Sequence, residues 1–253
     1  MEVIAHRGAN QEAAENSNES FVKAIEGGAH RIEVDVQTTV DGVPFIFHDP
    51  NMRRMTGLSL KTSTIHSNEL AKLKLSNGEQ IPILKNTLDR FIPKIKFTIE
   101  LKDPSIRATT SVLRLLADHR SQWDRILVSS FHPQPLGYLA DREPTLNLAC
   151  LWGHDIKWPY LAYGSPNIFM QRCHTKNLHP SIKRVDHSLM EKAKAYQWKI
   201  VPFASMEEEE SDRELLWAWL KTLGVDGFCT NYPRQLSEWL REEENYERTY
   251  TQA

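Results

Sequence analysis

From end to end the chain alternates two kinds of stretch, and this alternation narrows its possible folds more than any other feature. Short apolar runs recur as EVIAH, HRIEVDV, VPFIFH, KFTIELK, RILVSSF, LNLACLW, KIVPFA and VDGFCTN. Many of them are separated by stretches of helical period. In DRELLWAWLKTLG, Leu215, Leu216, Trp219, Leu220 and Leu223 share one stripe, and Gly224 is placed to end the helix. In VDHSLMEKAKAYQW, Leu189, Ala193 and Tyr196 share one face. Strand and helix in turn, with no linker or low-complexity break, predict an α/β fold with a parallel sheet and helices outside it. With about eight strands, such a sheet closes into a single barrel. The length of 253 residues fits one barrel domain spanning 1–253. The polar stretch from NMRRMTGLSL to GEQIPIL predicts a short excursion over the barrel mouth after the second strand region. The charged tail REEENYERTYTQA predicts fraying after a last helix.

Composition excludes several classes of function. A formal net charge of -2 leaves no basic field for a nucleic-acid backbone. No stretch reaches the ~18 apolar residues of a membrane span, and the start MEVIAHRG lacks a charged region followed by a long apolar one. These features predict a cytoplasmic protein without stable membrane insertion. Cys150, Cys173 and Cys229 are odd in number and form no CxxC pair, so they read as buried small hydrophobes in a reducing compartment.

The polar residues inside the apolar runs carry the chemistry. In RIEVDVQ the two-residue strand period puts Glu33 and Asp35 on one face and Ile32, Val34 and Val36 on the other. FTIELKD repeats the pattern with Glu100 and Lys102 on one face. Acids on an interior face need a partner, because an isolated buried carboxylate is costly. Three such acids at a barrel's carboxyl rim make an all-oxygen site, better suited to Mg²⁺ or Ca²⁺ than to Zn²⁺. The plainer alternative pairs Glu33 and Asp35 with Arg31 and Lys102 as structural ion pairs, or leaves them solvated at a sheet edge. His6 and His48 each stand where an apolar run ends, close to these acids, and barrel enzymes gather their reactive groups at such ends. His132 and His179 lie at other possible strand ends, where they could line the mouth, although ordinary loop residues are the commoner reading. His66, His119 and His187 read as surface or helix positions.

Taken together and in order, HRG, AENS, EVDVQTTVDG, FHDP, IELK, SSFHPQPL and GVDGFCTNYP resemble the glycerophosphodiester phosphodiesterase family, whose members are TIM (β/α)8 barrels. The resemblance implies a metal-dependent hydrolase that splits glycerophosphodiesters into sn-glycerol 3-phosphate and an alcohol. It casts His6 and His48 as the general acid/base pair, Glu33, Asp35 and Glu100 as ligands of one divalent cation, and Arg7 and Lys102 as phosphate-binding groups. Which histidine is acid and which base is left open, as are the alcohol, the choice of Mg²⁺ or Ca²⁺ and the oligomeric state. The chain departs from the family at Ala14-Glu15-Asn16-Ser17, where Pro-Glu-Asn-Thr is usual, and at Phe203-Ala204-Ser205-Met206, where Trp-Thr-Val-Asn is usual. Phe203 is expected to replace the tryptophan near the glycerol with less area. Trp152, Trp158 and Tyr160 lie near predicted mouth loops, where they could pack on a choline head group, although surface aromatics are commoner. Two rival readings keep the barrel: a metal-dependent enolising enzyme, which leaves Arg7, Lys102 and one histidine without a common task, and a non-catalytic barrel that binds a phosphate ligand.

Overall fold

In the computed structural model, which describes residues 1–153 and 166–251, eight parallel strands enclose a barrel ringed by helices. They are β1 (Glu2–His6), β2 (Arg31–Thr38), β4 (Lys96–Leu101), β5 (Ile126–Ser130), β6 (Asn147–Trp152), β7 (Asn177–Pro180), β8 (Lys199–Ile200) and β9 (Gly227–Thr230). The order runs β8-β7-β6-β5-β4-β2-β1-β9. The seam closes where Asp226 N donates to Ile200 O at 2.9 Å and Cys229 N to Pro202 O at 2.9 Å.

Strand membership differs from the sequence expectation at two places. VPFIFH supplies β3 (Pro44–Ile46), which pairs antiparallel with β2 outside the barrel path. The eighth barrel strand is the four-residue β7, whose only outward apolar side chain of size is Leu178, so it carries little apolar signal. The segment after β3 has a small core of its own, built from Phe45, Phe47, Met52, Ile65, Leu70, Leu75 and Ile81. That second core explains why the β3 region is apolar on both faces.

Strand alternation divides the barrel into two environments. Outward side chains such as Ile32, Val34, Phe97, Ile99 and Val128 pack on helices α1 (Asn18–Glu26), α4 (Leu84–Phe91), α5 (Ile106–Ala117) and α6 (Pro133–Arg142). Inward ones are mostly polar, and among the described residues Ile4, Val201 and Cys229 form a small apolar cluster in the bore with Phe203 against it. All three cysteines are buried and unpaired.

Several helical expectations need correcting. In α10 (Arg213–Leu223), Trp217 and Leu220 are buried while Leu215 is 67% and Trp219 38% exposed. LLWAW offers two overlapping stripes, and the indole N–H of Trp217 finds a buried carboxylate on Glu209. In α8 (His187–Tyr196), Leu189 and Ala193 are buried, but Tyr196 turns outward and stacks on Trp198 with centroids 5.1 Å apart. His119 is buried rather than superficial, with Nε2 2.9 Å from Asp89 Oδ1. The charged tail continues α11 (Pro233–Thr251) instead of fraying early, and Lys221 holds Glu243 and Glu247 at 3.2 and 2.8 Å.

Candidate active site

Register places the acids of β2 and β4 side by side on the interior face. His6 pairs with Glu33, Glu33 with Thr98, and Asp35 with Glu100. Glu33, Asp35 and Glu100 each offer an oxygen within 4.8 Å of the others, and all three are buried. Lys102 Nζ lies 3.2 Å from Asp35 Oδ1 and 2.7 Å from Glu100 Oε1.

The HRG turn explains why β1 ends as it does. Arg7 adopts a left-handed backbone, φ 56, which turns its N–H onto Glu33 Oε2 at 3.0 Å while its Nε sits 3.2 Å from Asp35 Oδ2. At Gly8, φ 78, a Cβ would stand 2.8 Å from the Ser20 carbonyl carbon, so glycine is required. Ser17 of the AENS stretch caps α1 in a capping box with Ser20, so the hydroxyl is used and the missing proline costs no cap. Asn16 donates Nδ2 to Asp35 Oδ2 at 2.8 Å.

Burial pushes the Glu33 carboxyl well up, helped by Asp35 and Glu100, and it raises Glu100 as well. For Asp35 burial acts in the same direction, but Lys102 and Arg7 outweigh it and hold the carboxyl below the usual range. Glu33 Oε1 is buried without a hydrogen-bond partner among the described residues. A set of three acid oxygens, one of them unmatched, is a donor set that fits a hard divalent cation.

The imidazoles of His6 and His48 share a cavity of about 450 Å³ with Arg7, Glu33, Glu100 and Lys102. His6 Nδ1 lies 2.8 Å from Asn231 Oδ1, and burial together with Arg7 pulls its pKa down to about 4. His48 Nδ1 lies 2.7 Å from Asp49 Oδ1. Gln37 fixes the His48 loop by donating Nε2 to the carbonyls of Phe47, His48 and Asp49 at 3.0, 3.2 and 2.8 Å. Phe203 lines the cavity and packs edge-on against Phe131, 5.9 Å between centroids.

A second ring of charges stands behind these groups, and the sequence reading did not find it. Arg54 of the excursion reaches Asp49 Oδ2 at 2.7 Å and Glu15 Oε1 at 2.6 Å, and Glu15 in turn reaches Arg7 Nη1 at 3.1 Å. The excursion is thereby tied to both the His48 loop and the HRG turn. AENS and FHDP flag Glu15 and Asp49, but nothing in RRM distinguishes Arg54 from Arg53.

His179, read as a loop residue, stands on β7 and lines the cavity; burial, with Arg31 adding, pulls its pKa down to about 3. His132 precedes α6 and lines a different cleft, with Pro104 and Arg172. Trp152 lies under the Arg184 guanidinium, 4.6 Å from the ring centroid, and Trp158 and Tyr160 fall outside the described residues.

A closed parallel barrel with its acids, imidazoles and cations gathered at the carboxyl rim defines the class, a TIM-barrel enzyme. The chain belongs to the glycerophosphoryl diester phosphodiesterase family, whose model matches residues 6–235. A glycerophosphodiester phosphodiesterase of Bacillus altitudinis is 30% identical over 254 residues, covering 95% of this chain and 98% of that one. One from Caldanaerobacter subterraneus is 26% identical over 253 residues, covering 95% and 98%. Among solved structures, an Oleispira antarctica phosphodiesterase in complex with the product sn-glycerol-3-phosphate aligns with TM-score 0.82 at 22% identity, covering 95% of this chain and 97% of that one. Among the described residues no helix is long and apolar enough to cross a membrane.

Proposed function

We propose that this chain, acting as one catalytic unit over 1–253, hydrolyses glycerophosphodiesters to sn-glycerol 3-phosphate and an alcohol. The observation that carries this reading is the meeting of His6, His48, Arg7 and Lys102 in one cavity with Glu33 and Glu100, which cluster with the buried Asp35. Glu33, Asp35 and Glu100 would hold Mg²⁺ or Ca²⁺. When bound, the cation supplies positive charge against the phosphoryl oxygens. Arg7 and Lys102 add fixed charge from either side of the acids.

Proton transfer falls to the histidines. His6, kept neutral by burial and Arg7, accepts the proton of the attacking hydroxyl; His48 delivers one to the departing alkoxide as its bond to phosphorus breaks. The attacking hydroxyl is water or the glycerol 2-hydroxyl. In the second case a cyclic phosphate accumulates under single-turnover conditions before water opens it. Phe203, with Phe131 and Leu151, gives the cavity an apolar wall for the carbon skeleton of the substrate. The buried unpaired cysteines support a reducing, cytoplasmic setting.

Coupled detection of glycerol 3-phosphate from glycerophosphocholine and glycerophosphoethanolamine tests the reading. Release is expected to stop in EDTA and to return with Mg²⁺ or Ca²⁺. Undiminished release in chelator would remove the cation, and no release from any glycerophosphodiester would remove the hydrolase.

A further inference from the structure

The two histidines are oriented by chemically different groups, and the difference bears on His6. Behind His48 stands a carboxylate, both of whose oxygens are acceptors, so either orientation of Asp49 presents the same face. Behind His6 stands a carboxamide, which presents an acceptor or a donor depending on which way it is turned. An Asn free to flip would let His6 interchange its tautomers.

Glu209 removes that freedom. It is fully buried on the short helix α9 (Met206–Glu210), although Glu207 and Glu210 beside it are exposed. Its carboxylate receives the Asn231 backbone N–H at 2.8 Å, Asn231 Nδ2 at 3.0 Å, Trp217 Nε1 at 3.3 Å and the Thr230 hydroxyl. Three of those four groups can only donate, so the ionised carboxylate is the form that satisfies them all. With its amide nitrogen held there, Asn231 must aim Oδ1 at His6. Asn10 adds to this by donating Nδ2 to the same Oδ1 at 2.7 Å and to the His6 carbonyl at 3.0 Å.

We propose that Glu209 is a positioning residue: through Asn231 it fixes His6 as the Nδ1–H tautomer and leaves Nε2 as the nitrogen available to substrate. The catalytic meaning of this lock rests on the role given to His6 above; the lock itself does not.

Long-range ¹H–¹⁵N spectra of the full chain at neutral pH read the tautomer directly, with the His6 signals assigned by their loss in His6→Ala. The expected spectrum has a protonated Nδ1 and a bare Nε2. Glu209→Gln puts an amide among the four donors and lets Asn231 turn. The Nε2–H form is then expected to become populated, and kcat to fall about 10- to 100-fold with KM within about twofold. Adding Asn231→Asp to that variant restores two acceptor oxygens, and should return the Nδ1–H signal and bring kcat to within about tenfold of the parent. A parent protein with His6 in the Nε2–H form overturns the lock even if neither variant folds. So does a folded Glu209→Gln variant that keeps both the Nδ1–H signal and the parent kcat. By contrast, a fully active His6→Ala variant would sink the catalytic reading and leave the spectrum to decide the lock.

Discussion

The bore of the barrel is polar at both ends, but its polar groups are matched at one end and left unmatched at the other. At the amino end Arg31 reaches across from β2 to Glu2 on β1 at 3.1 Å and to the Phe97 carbonyl on β4 at 3.1 Å. Nearby, Asn177 donates to Leu148 O at 2.9 Å, and Asp226 receives the Ile200 N–H at 2.8 Å. At the carboxyl end Glu33 Oε1, Thr98 Oγ1 and Ser129 Oγ are buried with no hydrogen-bond partner among the described residues, and all three residues line the mouth cavity. Buried polar atoms are normally satisfied, so a cluster that is not belongs where a ligand supplies the partners. The amino end is built to hold strands together, and the carboxyl end to hold something else.

Substitutions at the two ends should therefore separate turnover from stability. The largest effect is expected at the rim: His6→Ala and His48→Ala each lower kcat by about 10²- to 10⁴-fold while the urea midpoint stays close to the parent. Near-parent turnover in either variant takes that histidine out of the chemistry. At the amino end Arg31→Met should behave in the opposite way, costing about 1–3 kcal/mol in urea unfolding and leaving kcat within about twofold. Loss of turnover without loss of stability there would erase the distinction between the ends.

The same contrast explains what could be read from the amino acids alone. Strand period put Glu33, Asp35 and Glu100 on interior faces because inside-outside alternation is a local rule, and His6 and His48 stood at the ends of apolar runs. The groups that went unread act through contacts distant in sequence. Asn231 meets His6 across 225 positions and Glu15 meets Arg54 across 39, and no local pattern encodes either pairing. Glu209 was hidden differently: in a run of four glutamates the ordinary reading is a solvated face, and only helix phase selects the one that turns inward. For α10 the composition LLWAW allowed two stripes, and the choice was made by a carboxylate that sequence period cannot see.

His179 stands between the two ends and lines both cavities. Burial, with Arg31 adding to it, puts its folded-state pKa near 3 against 6.5 for the unfolded chain. The unfolded chain therefore binds the extra proton between those values. Its contribution to stability is complete above pH 6.5 and is lost as pH falls toward 3, by at most about 1.4 kcal/mol per unit. His6 adds a slope of the same sign between 6.5 and about 4. His179→Gln should flatten the decline of the urea midpoint between pH 7 and 4.5, measured in chelator, without abolishing it. An unchanged slope would mean that His179 is already protonated in the folded barrel.

The smallest expected effect discriminates best between the two ends, because it differs in sign as well as size. Ser129 is fully buried beside Glu100, and its hydroxyl has no hydrogen-bond partner among the described residues. An unmatched hydroxyl contributes nothing to offset its desolvation, so Ser129→Ala should leave stability unchanged or raise it by up to about 1 kcal/mol. If that hydroxyl serves a ligand, kcat/KM should fall by a modest factor, about two- to tenfold, equivalent to a single lost hydrogen bond. A residue of the amino-end kind would behave the other way, losing stability and keeping kcat/KM. Urea unfolding and steady-state kinetics on this one variant place Ser129 in one group or the other, and a less stable, fully active Ser129→Ala would move the boundary between scaffold and site up to the level of Glu100.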